Sequence, residues 1–225
     1  MTLSRPEQRQ RFLYRLVVVS LLALYAVGCS SVARQQSLDG DAGGNRNPPK
    51  VELDGEAGFT IVEVVTVGSD VRNDYQRAMA LLERNELEAG IAMLEAVIEQ
   101  APELVAPRID LGIALMRLGE LVEAEASLVE ALSLMPEHPA ALNELGLVYR
   151  RTGRFDEARA SYDKALSFHP SFHYALLNLG VLCDLYLQDL ACALDSFERY
   201  GAVVADDPQV EIWIADVRNR LMAVR

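Results

Sequence analysis

The chain has 225 residues, of which 51% are hydrophobic and only 7% aromatic. This size accommodates one medium domain with a tail, and the apolar, aromatic-poor composition suits a helical protein. Asp and Glu outnumber Lys and Arg by 33 to 21, which gives a formal net charge of -12 at pH 7. Such an acidic balance argues against a nucleic-acid partner, because phosphate binding needs clustered basic side chains.

The beginning of the chain has the pattern of a secretory signal peptide. Arginines cluster between positions 5 and 15, and residues 16–27 are almost entirely apolar. A basic region followed by a short apolar stretch is typical of an export signal. Because a membrane-spanning helix needs roughly 20 apolar residues, we predict a signal peptide over residues 1–28, with an uncleaved membrane anchor as the alternative.

Residues 26–29 close this segment with the sequence Ala-Val-Gly-Cys. They resemble a bacterial lipobox, in which the cysteine becomes the lipidated first residue of the mature protein. The resemblance implies attachment of lipid, such as palmitate, at Cys29, and the neighbouring Ser30 resembles lipoproteins that are sent to the outer membrane. Because more than one acyl chain gives stable anchoring, we expect an outer-membrane protein that faces the periplasm and contacts the membrane through its lipid only.

The next segment, residues 29–70, is predicted to be a flexible tether. Up to residue 58 it is rich in Gly, Asn, Asp and Pro, so it buries too little apolar surface to offset its chain entropy. Residues 59–67 differ, because their Val, Ile and Thr favour a β-strand. This β-prone segment either packs on the first repeat of the domain that follows or stays exposed, where it could add to the edge of a partner's sheet.

The remaining chain repeats itself. Leu-Gly pairs end at Gly112, Gly146 and Gly180, an interval of about 34 residues, and prolines at positions 102, 136 and 170 recur with the same interval. Self-similarity at this period is the mark of stacked helix–turn–helix units. We predict four units and a C-terminal capping helix, over residues 71–104, 105–138, 139–172, 173–204 and 205–225.

Within each unit, apolar residues recur at the spacing of amphipathic helices. The predicted helices span residues 71–84, 87–100, 105–118, 121–134, 139–152, 155–168, 173–187 and 190–204. We expect Gly112 to pack against Ala124 and Gly146 against Ala158, since small residues let two helices approach closely. Glycines at 119 and 153 follow a first helix, where the C-terminus favours a residue that tolerates positive φ.

The third unit carries the pattern of the tetratricopeptide repeat (TPR). Its matching residues are Leu145, Gly146, Tyr149, Gly153, Phe155, Ala158, Tyr162, Ala165 and Pro170. The resemblance implies an all-α TPR solenoid of helix–turn–helix repeats that binds other proteins. The fourth unit departs from the pattern, because Leu187 replaces the turn glycine and one residue is inserted before Leu190.

In TPR domains the first helices of successive repeats line a concave groove. Carried over to this chain, the lining consists of Tyr75, Met79, Leu82, Ile109, Ile113, Met116, Asn143, Leu147, Arg150, Tyr174, Leu177, Asn178, Val181 and Asp184. It lacks the Lys and Asn of the chaperone-binding clamp and forms an apolar strip with a cationic spot at Arg150, assisted by Arg117 and Arg151. We expect an amphipathic helix or an extended segment as partner, with apolar anchors and one acidic residue. Alternatively, some of these residues pack between repeats or beneath the N-terminal segment, and the chain is free to form a homo-oligomer.

Motifs for catalysis are absent from the sequence. It contains no phosphate loop, nucleophile elbow or His-Glu-x-x-His, so we predict no catalytic, metal or cofactor site. His138, His169 and His173 fall at joints between repeats, where we expect solvated turn residues. Cys183 and Cys192 lie on the two helices of the fourth unit, and in an oxidising compartment we predict a disulfide between them. The alternative is two small buried thiols.

Two function classes follow from these patterns. The chain resembles the TPR lipoproteins of pilus systems, which implies a non-enzymatic scaffold that assists the assembly of an envelope machine such as a pilus or a secretion system. The alternative is an adaptor that recruits or regulates an envelope enzyme, such as a peptidoglycan hydrolase or a protease. In both classes the partner is a protein or a peptide.

Overall fold

The computed structural model describes residues 50–54, 58–62 and 67–223. The predicted signal peptide, the lipid attachment residue Cys29 and the first part of the tether lie outside the described residues. Within the described ranges, no helix combines the length and the apolar character that crossing a bilayer requires.

Helices make up almost all of the described chain after residue 67. In chain order they are α1 (Ser69–Glu83), α2 (Leu87–Gln100), α3 (Ala106–Leu118), α4 (Leu121–Leu134), α5 (Pro139–Arg151), α6 (Phe155–Phe168), α7 (His173–Leu182), a π-helix (Cys183–Leu187), α8 (Leu190–Val203) and α9 (Pro208–Ala223). Successive helices pack as hairpins, α1 with α2, α3 with α4, α5 with α6 and α7 with α8, and each hairpin packs on the next. The predicted all-α solenoid of helix–turn–helix units is confirmed.

Each hairpin turns on one residue with a left-handed backbone. Gly119 and Gly153 have φ angles of 97° and 78°, and Asn85 takes the same place in the first hairpin with a φ of 62°. Asn adopts this conformation more readily than most residues with a side chain. In the fourth hairpin the left-handed residue is Gln188 (φ 56°) and not Leu187, because the inserted residue shifts the turn by one position.

The helix glycines pack against large side chains, and not against the alanines that the spacing predicts. A Cβ atom at Gly112 would lie 2.7 Å from Cγ of Leu128, and one at Gly146 would lie 2.4 Å from Cε1 of Tyr162. Ala124 approaches Gly112 only through its main-chain oxygen, at 3.3 Å. The prediction was wrong because the space left by each glycine admits a buried side chain one turn beyond the alanine.

The fourth hairpin is fastened at the π-helix. A disulfide joins Cys183, the first residue of the π-helix, to Cys192 on α8, with the two Cα atoms 5.8 Å apart. The π-helix accommodates the inserted residue of this unit, as single-turn π-segments commonly do. Asp184 forms an ion pair with Arg220 of α9. The π-helix therefore holds both α8 and the C-terminal helix.

Helix α9 covers the open end of the last hairpin. Asp207 caps its first turn by accepting hydrogen bonds from the amides that follow, and it also accepts one from the hydroxyl of Tyr200, at 3.0 Å. Trp213 lies on Phe197 of α8, with 5.4 Å between the ring centroids. A terminal helix of this kind buries apolar surface that would otherwise be exposed at the end of a solenoid.

A β-hairpin precedes the helices and corrects part of the tether prediction. Strands β1 (Lys50–Asp54) and β2 (Gly58–Val62) pair in antiparallel fashion. Ile61 is only 2% exposed and belongs to the buried core of the third and fourth hairpins, whereas Val67 packs on the first. The tether prediction was wrong for residues 50–54, because polar and apolar residues alternate there and form a strand despite the polar composition around it.

Candidate partner-binding surface

The first helices of the hairpins carry the predicted lining residues. We use the name inner row for Tyr75, Met79, Ile109, Ile113, Met116, Asn143, Leu147, Arg150, Tyr174, Leu177, Asn178 and Val181. Two hydrogen bonds join neighbouring first helices along it: Tyr75 donates to Asp110 on α3, and Nδ2 of Asn178 donates to Oδ1 of Asn143 (3.0 Å). The structure thus brings these residues onto adjacent helices, as the repeat pattern predicts.

The middle of the inner row is more deeply buried than an exposed apolar strip. Ile109 and Asn143 are 0% and 1% exposed, and Met116 and Leu147 are 7% and 9% exposed. The partly exposed members are Tyr75, Met79, Ile113, Arg150, Tyr174, Leu177 and Asn178. The accessible surface therefore lies at the two ends of the row and beside Ile113 and Arg150, with an aromatic residue at each end.

The three arginines near the inner row have different surroundings. Arg117 donates to the main-chain oxygen of Leu82 (3.3 Å), and Arg151 donates to that of Met116 (2.6 Å). Each guanidinium satisfies a carbonyl at the end of the preceding first helix, where helix carbonyls lack partners and cations are stabilised. The expectation that they assist Arg150 was therefore wrong. Arg150 itself makes no hydrogen bond or ion pair within the described part of the chain.

Two residues of the predicted lining serve internal packing instead. Leu82 is 5% exposed, and its Cδ2 atom occupies the space above Gly90, where a Cβ would lie 2.4 Å away. Asp184 is held by Arg220, so its charge is already compensated. Neither side chain is available to a partner in the groove.

The histidines at the joints are not solvated turn residues, as two of them are buried. His138 is 0% exposed, and its Nδ1 accepts a hydrogen bond from the Ala141 amide (3.3 Å), which makes it the N-cap of α5. His173 is 4% exposed and lies 4.1 Å from the ring centroid of Tyr174. Burial lowers the pKa of His173 to about 4, because desolvation disfavours the charged imidazolium.

Chemistry-bearing clusters were sought in the same region of the molecule. Among residues 67–223 and the two strands, no group of three or more His, Cys, Asp and Glu side chains is arranged to hold a metal ion. The carboxylates of Asp110 and Glu144 lie near the inner row and are only 6% exposed. The surface offers apolar contacts, amides and one cation, which suit recognition of a polypeptide.

The sequence-based set of site residues omits Ile61. Its position in β2 and its burial in the core of the third and fourth hairpins bring the N-terminal hairpin next to the inner row. The alternation of polar and apolar residues in Lys50–Asp54 and Gly58–Val62 is the signal that predicts such a ribbon. It is weak in this chain because each strand has only five residues.

The comparisons with known proteins agree with this geometry. A family model described as tetratricopeptide repeat matches residues 75–132 and 109–172. No curated protein sequence matches the chain.

Similar solved structures share the fold at low identity. They include pilF of Pseudomonas aeruginosa (22% identity, TM-score 0.62, 68% of this chain and 70% of that one). A tetratricopeptide repeat protein from Parabacteroides merdae (21%, 0.58, 68% and 62%) and MamA of Desulfovibrio magneticus (19%, 0.59, 68% and 86%) are also similar. At these identities the likeness establishes the fold alone.

Proposed function

Because residues 69–203 form a tetratricopeptide-repeat solenoid, we propose that the chain is a non-enzymatic scaffold which binds a protein partner along its inner row and is anchored to the bacterial outer membrane through lipid at Cys29. The machine it serves is an envelope assembly such as a pilus or a secretion system. Support for the export and anchoring steps comes from the signal and lipobox patterns of residues 1–29. Support for the binding role comes from the repeats.

One observation carries the binding proposal: Arg150 is a partly buried cation without a polar partner in the described chain, and it lies among apolar inner-row residues. Desolvating a guanidinium is unfavourable unless it gains a hydrogen-bonding or charged partner. An acidic side chain of a bound polypeptide supplies such a partner, while Tyr174 and Leu177 offer apolar contacts. The proposed partner thus presents one carboxylate beside apolar anchors.

Affinity capture from crosslinked cells tests this function. The full lipoprotein is recovered from detergent-solubilised envelopes, and the wild type is compared with Arg150→Glu. Arg77→Glu is the matched control, because Arg77 undergoes the same charge reversal on α1 but is 68% exposed outside the inner row. We expect secretin or pilin-assembly components to co-purify with the wild type and the control, and to be depleted with Arg150→Glu.

Three other outcomes have definite meanings. Recovery of a peptidoglycan hydrolase or a protease replaces the assembly role with that of an adaptor for an envelope enzyme. Equal capture by all three proteins contradicts the placement of the partner at Arg150. Recovery of the wild-type chain in the soluble cytoplasmic fraction contradicts the anchoring, which a Cys29→Ser variant tests separately through loss of lipid labelling.

A further inference from the structure

The N-terminal hairpin is amphipathic. Its register places Val51 opposite Ile61 and Leu53 opposite Phe59. Directly opposite residues of an antiparallel pair lie on the same face, so these four apolar residues occupy the register positions of one face of the ribbon. A two-stranded hairpin alone is at best marginally stable in water. One face of this hairpin therefore needs a cover.

The inner-row side of the third and fourth hairpins provides that cover. Ile61 is 2% exposed and belongs to the same buried core as residues of α5 to α8. The inner-row residues Val181, Tyr174 and Leu177 also belong to this core or pack against it. On the opposite side, the rings of Tyr162 and Phe197 already fill the space beneath the helix glycines. The hairpin therefore reaches the core from the inner-row side.

We propose that the inner row along α5 and α7 is a binding site for an amphipathic β-strand, and that the chain's own hairpin fills this site until a partner strand of the same pattern replaces it. The inference rests on the proposed function for the existence of a partner, and it narrows the partner's class. The site accepts an extended segment with apolar residues at alternate positions. An amphipathic helix, with apolar residues three and four apart, does not reproduce that pattern.

The intramolecular hairpin also makes binding conditional. A site that is free in only a small fraction of molecules has an apparent affinity reduced by that fraction. A partner strand must therefore compete with a segment tethered only a few residues away, and any change that loosens the hairpin strengthens capture.

The test uses a synthetic peptide with the sequence of residues 50–62, labelled for fluorescence anisotropy, and the full chain in detergent. The peptide is titrated with the wild type, with Ile61→Asp and with Thr60→Asp, after circular dichroism shows that each is folded. Ile61→Asp puts a charge at the buried position and should release the hairpin. Thr60→Asp is the control, because residue 60 holds the alternate position of the same strand. Ile61→Ala serves as a milder release variant if the aspartate variant does not fold.

We expect the peptide to bind Ile61→Asp at least about tenfold more tightly than the wild type or Thr60→Asp. A peptide that itself carries Ile61→Asp should not bind. Equal binding to all three chains, or no binding to a folded release variant, would overturn the proposal. Because this assay contains no cellular partner, its result is independent of the capture experiment. A failed capture with a positive titration refutes the proposed function, and the reverse refutes only the strand site.

Discussion

Gly146 lies directly against the ring of Tyr162, and a single added methyl group would come within 2.4 Å of the ring carbon Cε1. Gly180 has the same relation to Phe197 in the next hairpin, also at 2.4 Å, although this pair is one residue further apart along the chain. The extra residue lies in the π-helix between them. The fourth hairpin thus keeps the helix–helix contact of the third by widening one helical turn, and this contact is the packing unit of the solenoid.

Replacement of Gly146 by alanine should destabilise the domain. The new methyl group must displace the fully buried ring of Tyr162, and overpacking of a core costs about 1–3 kcal/mol, more than the roughly 1 kcal/mol that alanine gains over glycine in a helix. Urea denaturation followed by circular dichroism measures the change. Gly201→Ala is the control, because its Cβ would meet only Ile214 Cδ1 at 3.8 Å. An unchanged midpoint for Gly146→Ala would contradict the proposed packing.

Removal of the disulfide should weaken the fourth hairpin. The bond closes a loop with a sequence separation of 9, and constraining such a loop in the unfolded chain is worth roughly 2–3 kcal/mol. We expect the double variant Cys183→Ala and Cys192→Ala to have a lower unfolding midpoint than the oxidised wild type. A reducing agent should lower the wild-type midpoint and leave that of the variant unchanged. An equal response of both proteins to the reductant would show that this bond does not cause the effect.

Stability should fall as the pH decreases through the range in which His173 titrates. Its pKa is lowered by burial from 6.5 to about 4, so the folded state prefers the neutral imidazole. The stabilisation is complete above pH 6.5 and is lost as the pH falls towards 4, because the unfolded state takes up the proton first. The loss between pH 7 and pH 5 should be roughly 2 kcal/mol. Urea denaturation at several pH values should show this component in the wild type and not in His173→Phe, and parallel pH profiles would contradict it.

Separation of Asp184 from Arg220 should loosen α9 without unfolding the repeats. The Asp184 carboxylate is 15% exposed and the Arg220 guanidinium 37%, so solvent screening limits the coupling to about 0.5–1 kcal/mol. A double-mutant cycle of Asp184→Ala and Arg220→Ala measures it, with fluorescence of Trp213 as the local probe. The pair Asp216 and Arg220, which is more exposed, is the control and should give a smaller coupling. A coupling near zero for Asp184 would contradict its role in holding α9.

Much of the fold follows from local signals that the sequence displays directly. Gly119 and Gly153 predict left-handed turns, because few other residues adopt that backbone at low cost. The partner of Gly146 was not predictable in the same way, since a small residue indicates a close approach but not which side chain fills it. His138 and His173 look like polar joint residues in one dimension, and only the packing of neighbouring repeats buries them.

The surface was less predictable than the fold for a related reason. The repeat pattern assigns residues such as Asn143 and Ile109 to the inner row, but their exposure depends on elements distant in sequence. Ile61 packs on helices that begin far along the chain, and no local propensity encodes that contact. The roles of Arg117 and Arg151 at helix ends likewise depend on where the preceding repeat stops.

Site-specific photo-crosslinking in living cells tests most directly whether this protein binds a partner through its inner row. A photoreactive amino acid replaces Met79 or Tyr174 on the inner row, or Val122 on α4, which is 76% exposed. We predict light-dependent adducts with another protein from Met79 and Tyr174, a loss of these adducts when Arg150→Glu is added, and no such adduct from Val122. Adducts from Val122 alone, or none from either inner-row position in membrane-anchored chains, would contradict the account.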